Sequence, residues 1–476
     1  MGSPTGWRVR LLPLLTAEET RRAEEAYPGS LDELMDRAGT AVAELVLRSF
    51  PGRVTVVAGK GKNGGDAKIC ARVLADAGRE VTVVEGSGDL GTPDVVVDGL
   101  LGIGIEGAPR EDVARMIDLI NASGRTVVSI DVPSGVNAST GEISGAAVRA
   151  TATVTFGAAK VGLAVAPGRL HAGAVTVAPL GLRPREHEHS LVPSSVLLDV
   201  PAKQVDSTKY SAGSVLVVGG SRGLTGAVML SSLAAYRADA GYVAVAAPES
   251  ALPVLESALL EVVKHALPED TSGRLLPRSA DAVVEAAQKA DVVAIGPGLG
   301  RSDGTVELVR VLLERLDLPV VLDADALWQL EPFARNAATV ITPHTGELAA
   351  LLGTTSTGID AHRLDAVRRA ASRFGSVVLL KGADTLVAAP REGVLVASYG
   401  SPALATAGSG DVLTGIVAAF IAKGIEPQLA AAAAAVAHGV ASELLDPARG
   451  AVASDLLPGL RLALAGHGLQ RAPLAR

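Results

Sequence analysis

Short runs of β-branched residues, each followed by glycine and an alanine-rich stretch of helix length, recur along most of the chain and restrict its fold most. Val54–Ala58, Val81–Glu85, Val95–Asp98 and Thr126–Asp131 are such runs. Continuous apolar strands separated by helices imply a parallel sheet covered on both faces. The pattern lapses at Arg183-Pro-Arg-Glu-His-Glu-His189, which is charged, carries proline and has no period. It restarts at Ser214–Val218 and recurs at Tyr242–Ala246, Asp291–Ile295, Pro319–Asp323, Thr339–Thr342 and Ser376–Leu380. A boundary near residue 200 is therefore expected, with two α/β domains over 1–200 and 201–476. The length of 476 residues agrees with this, since a domain takes roughly 150 residues. The run Ala430–Ala435 predicts a tightly packed helix ending near His438 and Gly439, alanine being the best helix former.

Composition removes several functional classes. Apolar residues make up 48% and aromatics only 3%, so an ample core must be built mainly from Ala, Val and Leu. A formal net charge of −8 leaves no footprint for nucleic acid, and the stacking aromatics that single strands need are scarce. The single cysteine, Cys70, excludes an internal disulfide framework and a cysteine-built zinc site. No apolar run approaches the ~20 residues of a membrane span. Arg8 and Arg10 precede a Leu-Leu-Pro-Leu-Leu run too short for a signal peptide, and the expected location is the cytoplasm.

Three loops in the first half carry chemistry. Val54–Ala58 runs into Gly59-Lys-Gly-Lys-Asn-Gly-Gly-Asp66, with a helix expected from about Ala67. The loop contains G-x-G-x-x-G between strand and helix, and Glu85 lies about 20 residues on, as in dinucleotide-binding units. That reading leaves Asn63 and Asp66 unexplained. Asp98-Gly-Leu-Leu-Gly-Ile-Gly-Ile-Glu-Gly-Ala108 and Ile130-Asp-Val-Pro-Ser-Gly135 close two further strands. Ligands in open parallel sheets bind at the carboxyl ends of strands, so Asn63, Asp98, Asp131 and Ser134 should converge there. Their oxygens suit a hard cation as well as hydroxyl or amide groups; singly, Asp98 and Asp131 are equally consistent with helix or turn caps. Lys160 is the nearby candidate for proton transfer, a surface lysine being the ordinary alternative.

In the second half, Ala405-Thr-Ala-Gly-Ser-Gly-Asp411 precedes a helical pattern. Small residues let the backbone approach a ligand, and a helix start aims N–H groups at an anion. Asp411 could accept a hydroxyl proton while those N–H groups hold phosphoryl oxygens, which is what phosphoryl transfer to an alcohol requires; a plain N-cap is the alternative. Gly220-Ser-Arg-Gly-Leu-Thr-Gly226 lacks the lysine-serine pair of a Walker A motif. Asp323 and Asp325, two apart at a strand end, are expected to face the same side. Gly296-Pro-Gly-Leu-Gly300, Thr342-Pro-His-Thr-Gly-Glu347 and Lys381-Gly-Ala-Asp-Thr385 end other strands.

Taken together, these motifs resemble a known pair of domains. Lys-Asn-Gly-Gly-Asp, Asp-x-Leu-Leu-Gly-x-Gly, Ile-Asp-x-Pro-Ser-Gly and Thr155-Phe-x-x-x-Lys160-x-Gly162 resemble the NAD(P)H-hydrate epimerase domain over roughly residues 10–185, a Rossmann-like parallel three-layer sandwich. The resemblance implies that Lys62, Asn63, Gly64, Gly65 and Asp66 hold the hydrated nucleotide. It adds Gly102, Ile103, Gly104, Ile105, Glu106, Gly107 and Ala108, with Asp131 touching the substrate and Asn63, Asp98 and Ser134 binding potassium. Lys62 stands where the family usually has a second asparagine, and Ala67 where it usually has glycine. The motifs from Gly219 to Leu413 resemble ADP-dependent NAD(P)H-hydrate dehydratase, a ribokinase-like fold, over roughly 200–465. Here the resemblance implies that Ala227, Gly298, His344 and Asp411 contact the hydrated nucleotide. Lys381, Gly382, Ala383, Asp384, Thr385 and Gly410 would contact ADP, which brings magnesium. Departures are Ala407 and Asp239 for glycine and Thr345 for proline.

The resemblance predicts a repair enzyme with catalytic residues Asp411, Asp131 and Lys160. Hydration of NAD(P)H leaves a hydroxyl at ring C6; the first domain would interconvert the C6 epimers and the second would dehydrate the S form. Small-molecule partners and a homo-oligomer are expected, with no nucleic acid and no membrane. Two alternatives stand beside it: a vitamin or sugar kinase fused to a nucleotide-binding module, and a first domain with a sensing or scaffold role.

Overall fold

The computed structural model describes residues 10–86, 88–184, 186–469 and 474; Arg8 and Arg185 lie outside them. The chain forms two compact units, one mainly Leu12–Leu191 and the other mainly Val192–Ile359 with Asp365–Pro473.

The first unit is built on a six-stranded sheet. Its strands lie in the spatial order Val81–Glu85, Val54–Ala58, Val95–Gly99, Thr126–Ile130, Ala152–Phe156 and Ala174–Ala178, and every neighbouring pair is parallel. Val54–Ala58 and Val95–Gly99 are buried along their whole length, as strands covered on both faces must be. Strand order reverses between these two, and their carboxyl ends carry the Gly59 and Asp98 loops. In an open α/β sheet that reversal opens the crevice where ligands bind.

The second unit repeats this logic. Its strands run Val263–Leu267, Tyr242–Pro248, Ser214–Val218, Val292–Ile295, Val320–Leu322, Thr339–Ile341 and Val377–Leu380, all parallel. Thr385–Ala388 and Leu395–Ala397 then pair antiparallel. The order reverses between Ser214–Val218 and Val292–Ile295. There the backbone turns interlock: a Cβ on Gly219 would lie 2.1 Å from the Pro297 carbonyl oxygen, and one on Gly296 would lie 1.8 Å from that of Asp323.

Scarce aromatics are offset by close helix approach. Ala430–Ala437 are buried. A Cβ on Gly415 would meet the Ser231 carbonyl oxygen at 2.1 Å, so the helices Thr225–Arg237 and Ser409–Ala422 touch at backbone distance. The alanine helix spans Pro427–Glu443 and passes through the expected stop at Gly439. Gly439 is not a C-cap; it admits Tyr399, whose carbonyl oxygen would lie 2.5 Å from a Cβ there.

Candidate active sites

In the first unit the helix begins at Lys62, with Gly61 as its N-cap, rather than near Ala67. Asn63, Gly64, Gly65 and Asp66 therefore lie in its opening turns and not on a loop. Glycine permits the early start: a Cβ on Gly64 would sit 1.8 Å from the Gly59 carbonyl oxygen, and one on Gly59 2.0 Å from that of Leu100. Ala67 packs directly against Gly99, where a Cβ would come within 2.5 Å of the alanine methyl.

Asn63, Asp98 and Ser134 converge as expected. Asp98 is wholly buried. Its carboxylate accepts from Ser134 Oγ (2.6 Å), Ser134 N (2.9 Å), Ser129 Oγ (2.8 Å) and Leu100 N (3.3 Å). Asn63 Nδ2 donates to the Leu101 carbonyl at 2.8 Å, and Ser134 Oγ lies 3.3 Å from the same oxygen. Burial raises the Asp98 carboxyl against the opposing pull of these hydrogen bonds.

Asp131 follows the strand Thr126–Ile130 in the left-handed region, φ 64°, which swings its side chain toward Lys160. Lys160 is not a surface residue. Its ammonium is fully buried and lies 2.7 Å from Asp131 Oδ1, donating also to the Phe156 carbonyl (2.8 Å) and Thr155 Oγ1 (3.1 Å). Thr155 Oγ1 donates in turn to Asp131 Oδ1 at 2.9 Å.

A cavity of about 840 Å³ opens over this group, lined by Lys62, Asn63, Asp66, Asp131, Gly102–Glu106 and Ala108; Gly64, Gly65 and Gly107 are not in its wall. Burial, followed by the negative charges of Asp131 and Glu24, pushes the Asp66 carboxyl up to about 8. Sequence spacing misses Arg21 and Glu24, which also line the cavity; Glu24 pairs with Lys62 at 3.1 Å. Neither stands in a glycine motif, and only the tertiary fold brings the helix Ala17–Glu25 to the cavity.

In the second unit, Gly408 (φ 89°) caps the helix Ser409–Ala422, placing Asp411 in its first turn. Burial, then the negative charge of Asp323, raises the Asp411 carboxyl to about 6, against the pull of Lys381. Lys381 Nζ would lie only 3.3 Å from a Cβ on Gly410, so the ammonium sits over the glycine turn.

Asp323 and Asp325 do not share a face. The strand ends at Leu322, and Ala324 takes φ 50°, which breaks the alternation. Buried Asp323 accepts from Lys381 Nζ (2.5 Å), Thr414 Oγ1 (2.6 Å) and Thr342 Oγ1 (2.8 Å). Asp325 instead accepts from Gly300 N and Arg301 Nε, both at 2.9 Å.

His344 caps the helix Thr345–Leu352: its Nδ1 accepts from Gly346 N at 2.9 Å, and Glu347 Oε2 accepts from His344 N at 2.9 Å. An accepting Nδ1 leaves the proton of the neutral ring on Nε2. Burial raises the Glu347 carboxyl. Gly298 (φ 58°) lies against Ala227, whose methyl would be 3.2 Å from a Cβ there. Gly382 and Ala383 are exposed, Asp384 is buried, and Thr385 begins a strand. Each unit thus gathers carboxylates, a lysine and glycine turns around the carboxyl ends of parallel strands.

Comparison with known proteins identifies this pairing. Residues 215–459 match the family model described as NAD(P)H-hydrate dehydratase. Residues 31–90 and 85–162 match the one described as YjeF-related protein N-terminus. The bifunctional NAD(P)H-hydrate repair enzyme Nnr of Moorella thermoacetica is 37% identical over 93% of this chain and 95% of its own. That of Escherichia coli is 34% identical over 93% and 91%. The chain belongs to the bifunctional NAD(P)H-hydrate repair enzyme family. A solved ADP/ATP-dependent NAD(P)H-hydrate dehydratase from Bacillus subtilis, co-crystallised with ATP/Mg2+, aligns with a TM-score of 0.52 at 27% identity. It covers 57% of this chain and 96% of its own.

Two departures from the repair-enzyme pattern have physical accounts. Thr345 occupies the first helical position, where proline is also at home. Asp239 takes φ 71°, a backbone that favours glycine but tolerates aspartate, and its carboxylate pairs with Lys423 (2.9 Å) and Lys203 (3.1 Å). The Lys423 side chain is only 3% exposed. Asp239→Ala is therefore expected to cost about 2 kcal/mol, below the usual loss for breaking a fully buried pair because the carboxylate is partly solvated. Urea denaturation measures this; an unchanged midpoint would show that the pair adds nothing.

Proposed function

We propose that this chain repairs hydrated NADH and NADPH, the first unit interconverting the R and S epimers at C6 and the second dehydrating the S form with ADP. The observation that carries the reading is Asp411: a half-buried carboxyl raised to about 6 in the first turn of a helix that starts after a glycine turn. Ionised at neutral pH, it takes the proton of the C6 hydroxyl, while the N–H groups at the helix start and Lys381 hold the phosphoryl oxygens. Asp323 fixes Lys381 over that turn. His344, with its proton on Nε2, and the Gly298 turn packed against Ala227 hold the hydrated ring. Phosphoryl transfer from ADP leaves AMP and turns the hydroxyl into a good leaving group. The ring-nitrogen lone pair then expels phosphate to give an N1=C6 iminium, and loss of a C5 proton to water restores the dihydronicotinamide. Magnesium, arriving with ADP, supplies charge neutralisation of the phosphates.

In the first unit, Asp131 and the residues around the cavity hold the hydrated ring. The donor set of Asn63, Asp98 and Ser134 fits potassium. Among their side chains only Asp98 is ionisable, no cationic side chain lies against it among the described residues, and a single negative charge suits a monovalent ion better than magnesium. Potassium there would supply that missing charge and stiffen the Gly99–Leu101 loop. The partners in this reading are small molecules, and the setting is the cytoplasm.

The test is to incubate the full chain with mixed epimers of hydrated NADH, ADP and magnesium, and to follow the absorbance of restored NADH. With potassium, all substrate is recovered in one phase. Without it, recovery stops near the fraction present as the S form and continues only at the spontaneous rate. A stable phosphorylated product would instead favour the kinase alternative.

A further inference from the structure

We propose that Asp66 is a second catalytic group of the epimerisation, donating a proton to the departing C6 hydroxyl across the cavity from Asp131; this rests on the epimerase reading of the first unit. Asp66 and Asp131 line one cavity from different elements, the first from the helix Lys62–Asp76 and the second from the end of the strand Thr126–Ile130. Asp131 spends Oδ1 on Lys160, Thr155 and the Phe156 N–H. Its Oδ2 has no protein donor among the described residues and is left to accept a proton. Asp66 is its complement.

A carboxylate near a helix N-terminus is ordinarily favoured in its charged form, yet here the surroundings reverse the preference. Apolar Met35, Ala38, Phe156 and Leu182 share the cavity wall. The charged groups facing Asp66 are Arg21 and Glu24 from Ala17–Glu25, Asp32 from Leu31–Ser49, Lys60 and Lys62 from its own turn, and Asp131. Glu106, Arg110 and Asp112 also line the cavity. Lys62, the cation that would most favour ionisation, is turned toward Glu24. Burial and the two acidic neighbours hold Asp66 protonated up to about pH 8. Two carboxyl groups in one site, one free to donate and one to accept, is how environments divide acid from base.

The proton balance is simple. The Asp66 O–H bond breaks and its proton passes to the C6 hydroxyl oxygen. The C6–O bond breaks, water leaves, and the N1 lone pair forms an N1=C6 double bond. Water then adds to the other face of C6 and gives its proton to Asp131 Oδ2. The configuration is inverted, Asp66 is left as carboxylate and Asp131 as acid, and the reverse conversion runs with the roles exchanged.

The experiment uses the full chain with potassium and no ADP, following the interconversion of separated epimers of hydrated NADH by chromatography. Wild-type rate is expected to fall about tenfold per pH unit above roughly pH 8, as the Asp66 acid is lost. Asp66→Asn, nearly isosteric, is expected to epimerise about 10²-fold more slowly, to lose that alkaline limb and to bind NADH within threefold of wild type. Asp66→Glu should restore part of the rate. In H₂¹⁸O each inversion should place one ¹⁸O at C6. The proposal is overturned if the wild type epimerises and Asp66→Asn keeps its rate, or if the wild-type rate climbs through pH 8. Should the asparagine variant lose NADH binding, the wild-type pH profile and isotope incorporation decide. No epimerisation by the wild type at all would overturn the reading of the first unit instead.

Discussion

Asp411→Asn is expected to slow ADP-dependent dehydration by about 10²–10⁴ while the fold stays intact. The amide preserves shape in the first turn of Ser409–Ala422 but cannot take the hydroxyl proton. The sign of the pH dependence follows from the direction of the shift. Burial and the negative charge of Asp323 raise the carboxyl to about 6, so the base form exists above that pH and is lost below it. Wild-type turnover should therefore fall about tenfold per pH unit below 6 and lie flat above it. The asparagine variant should show a low rate without that limb. NADH absorbance under saturating ADP and pure S epimer measures both, and near-wild-type turnover in the variant would remove Asp411 from the chemistry.

Lys160→Met is the second large effect, and it separates stability from activity. Lys160 is wholly buried at 2.7 Å from Asp131, whose side chain is 11% exposed. Removing the ammonium strands a nearly buried carboxylate, at a cost of about 3–5 kcal/mol. Epimerisation should fall by about 10²-fold or more, because Asp131 loses the partner that fixes its position. Adding Asp131→Asn to Lys160→Met should recover most of the stability, since an apolar and a neutral side chain no longer demand compensation, without recovering epimerisation. Guanidinium denaturation and epimer exchange read the two effects independently, with dehydration of the S form as the control for an intact second unit. A single variant as stable as wild type would contradict the buried-pair account.

Glycine turns at the ends of β-branched runs locate both sites within the amino-acid sequence, because strand ends, close backbone approach and helix starts each leave a local residue pattern. Asn63, Asp98, Asp131 and Ser134 are legible for that reason, as is Asp411. The rest is set by tertiary geometry. The helix start at Lys62 depends on Gly64 meeting Gly59, a contact with no spacing of its own. The divergence of Asp323 from Asp325 turns on one left-handed residue, Ala324, which nothing in its side chain announces. Burial of Lys160 beside Asp131 is a tertiary contact that the residues around Lys160 do not announce. The strands Ala152–Phe156, Ala174–Ala178 and Val263–Leu267 are not among the expected runs; lysine and histidine interrupt the last of them.

The alanine helix Pro427–Glu443 also bears on mutational tolerance. A side chain of alanine loses no rotamer freedom on burial, so ordering this core segment costs less entropy than a leucine-rich one of equal length. The other side of that economy is directional: almost every codon change at Ala430–Ala437 enlarges the residue. In a close-packed interior enlargement forces strain of about 1–3 kcal/mol per site. Drift along this helix is thus confined to a narrow range of sizes, and sequence identity there measures volume available beneath the sheet rather than selection on the reaction.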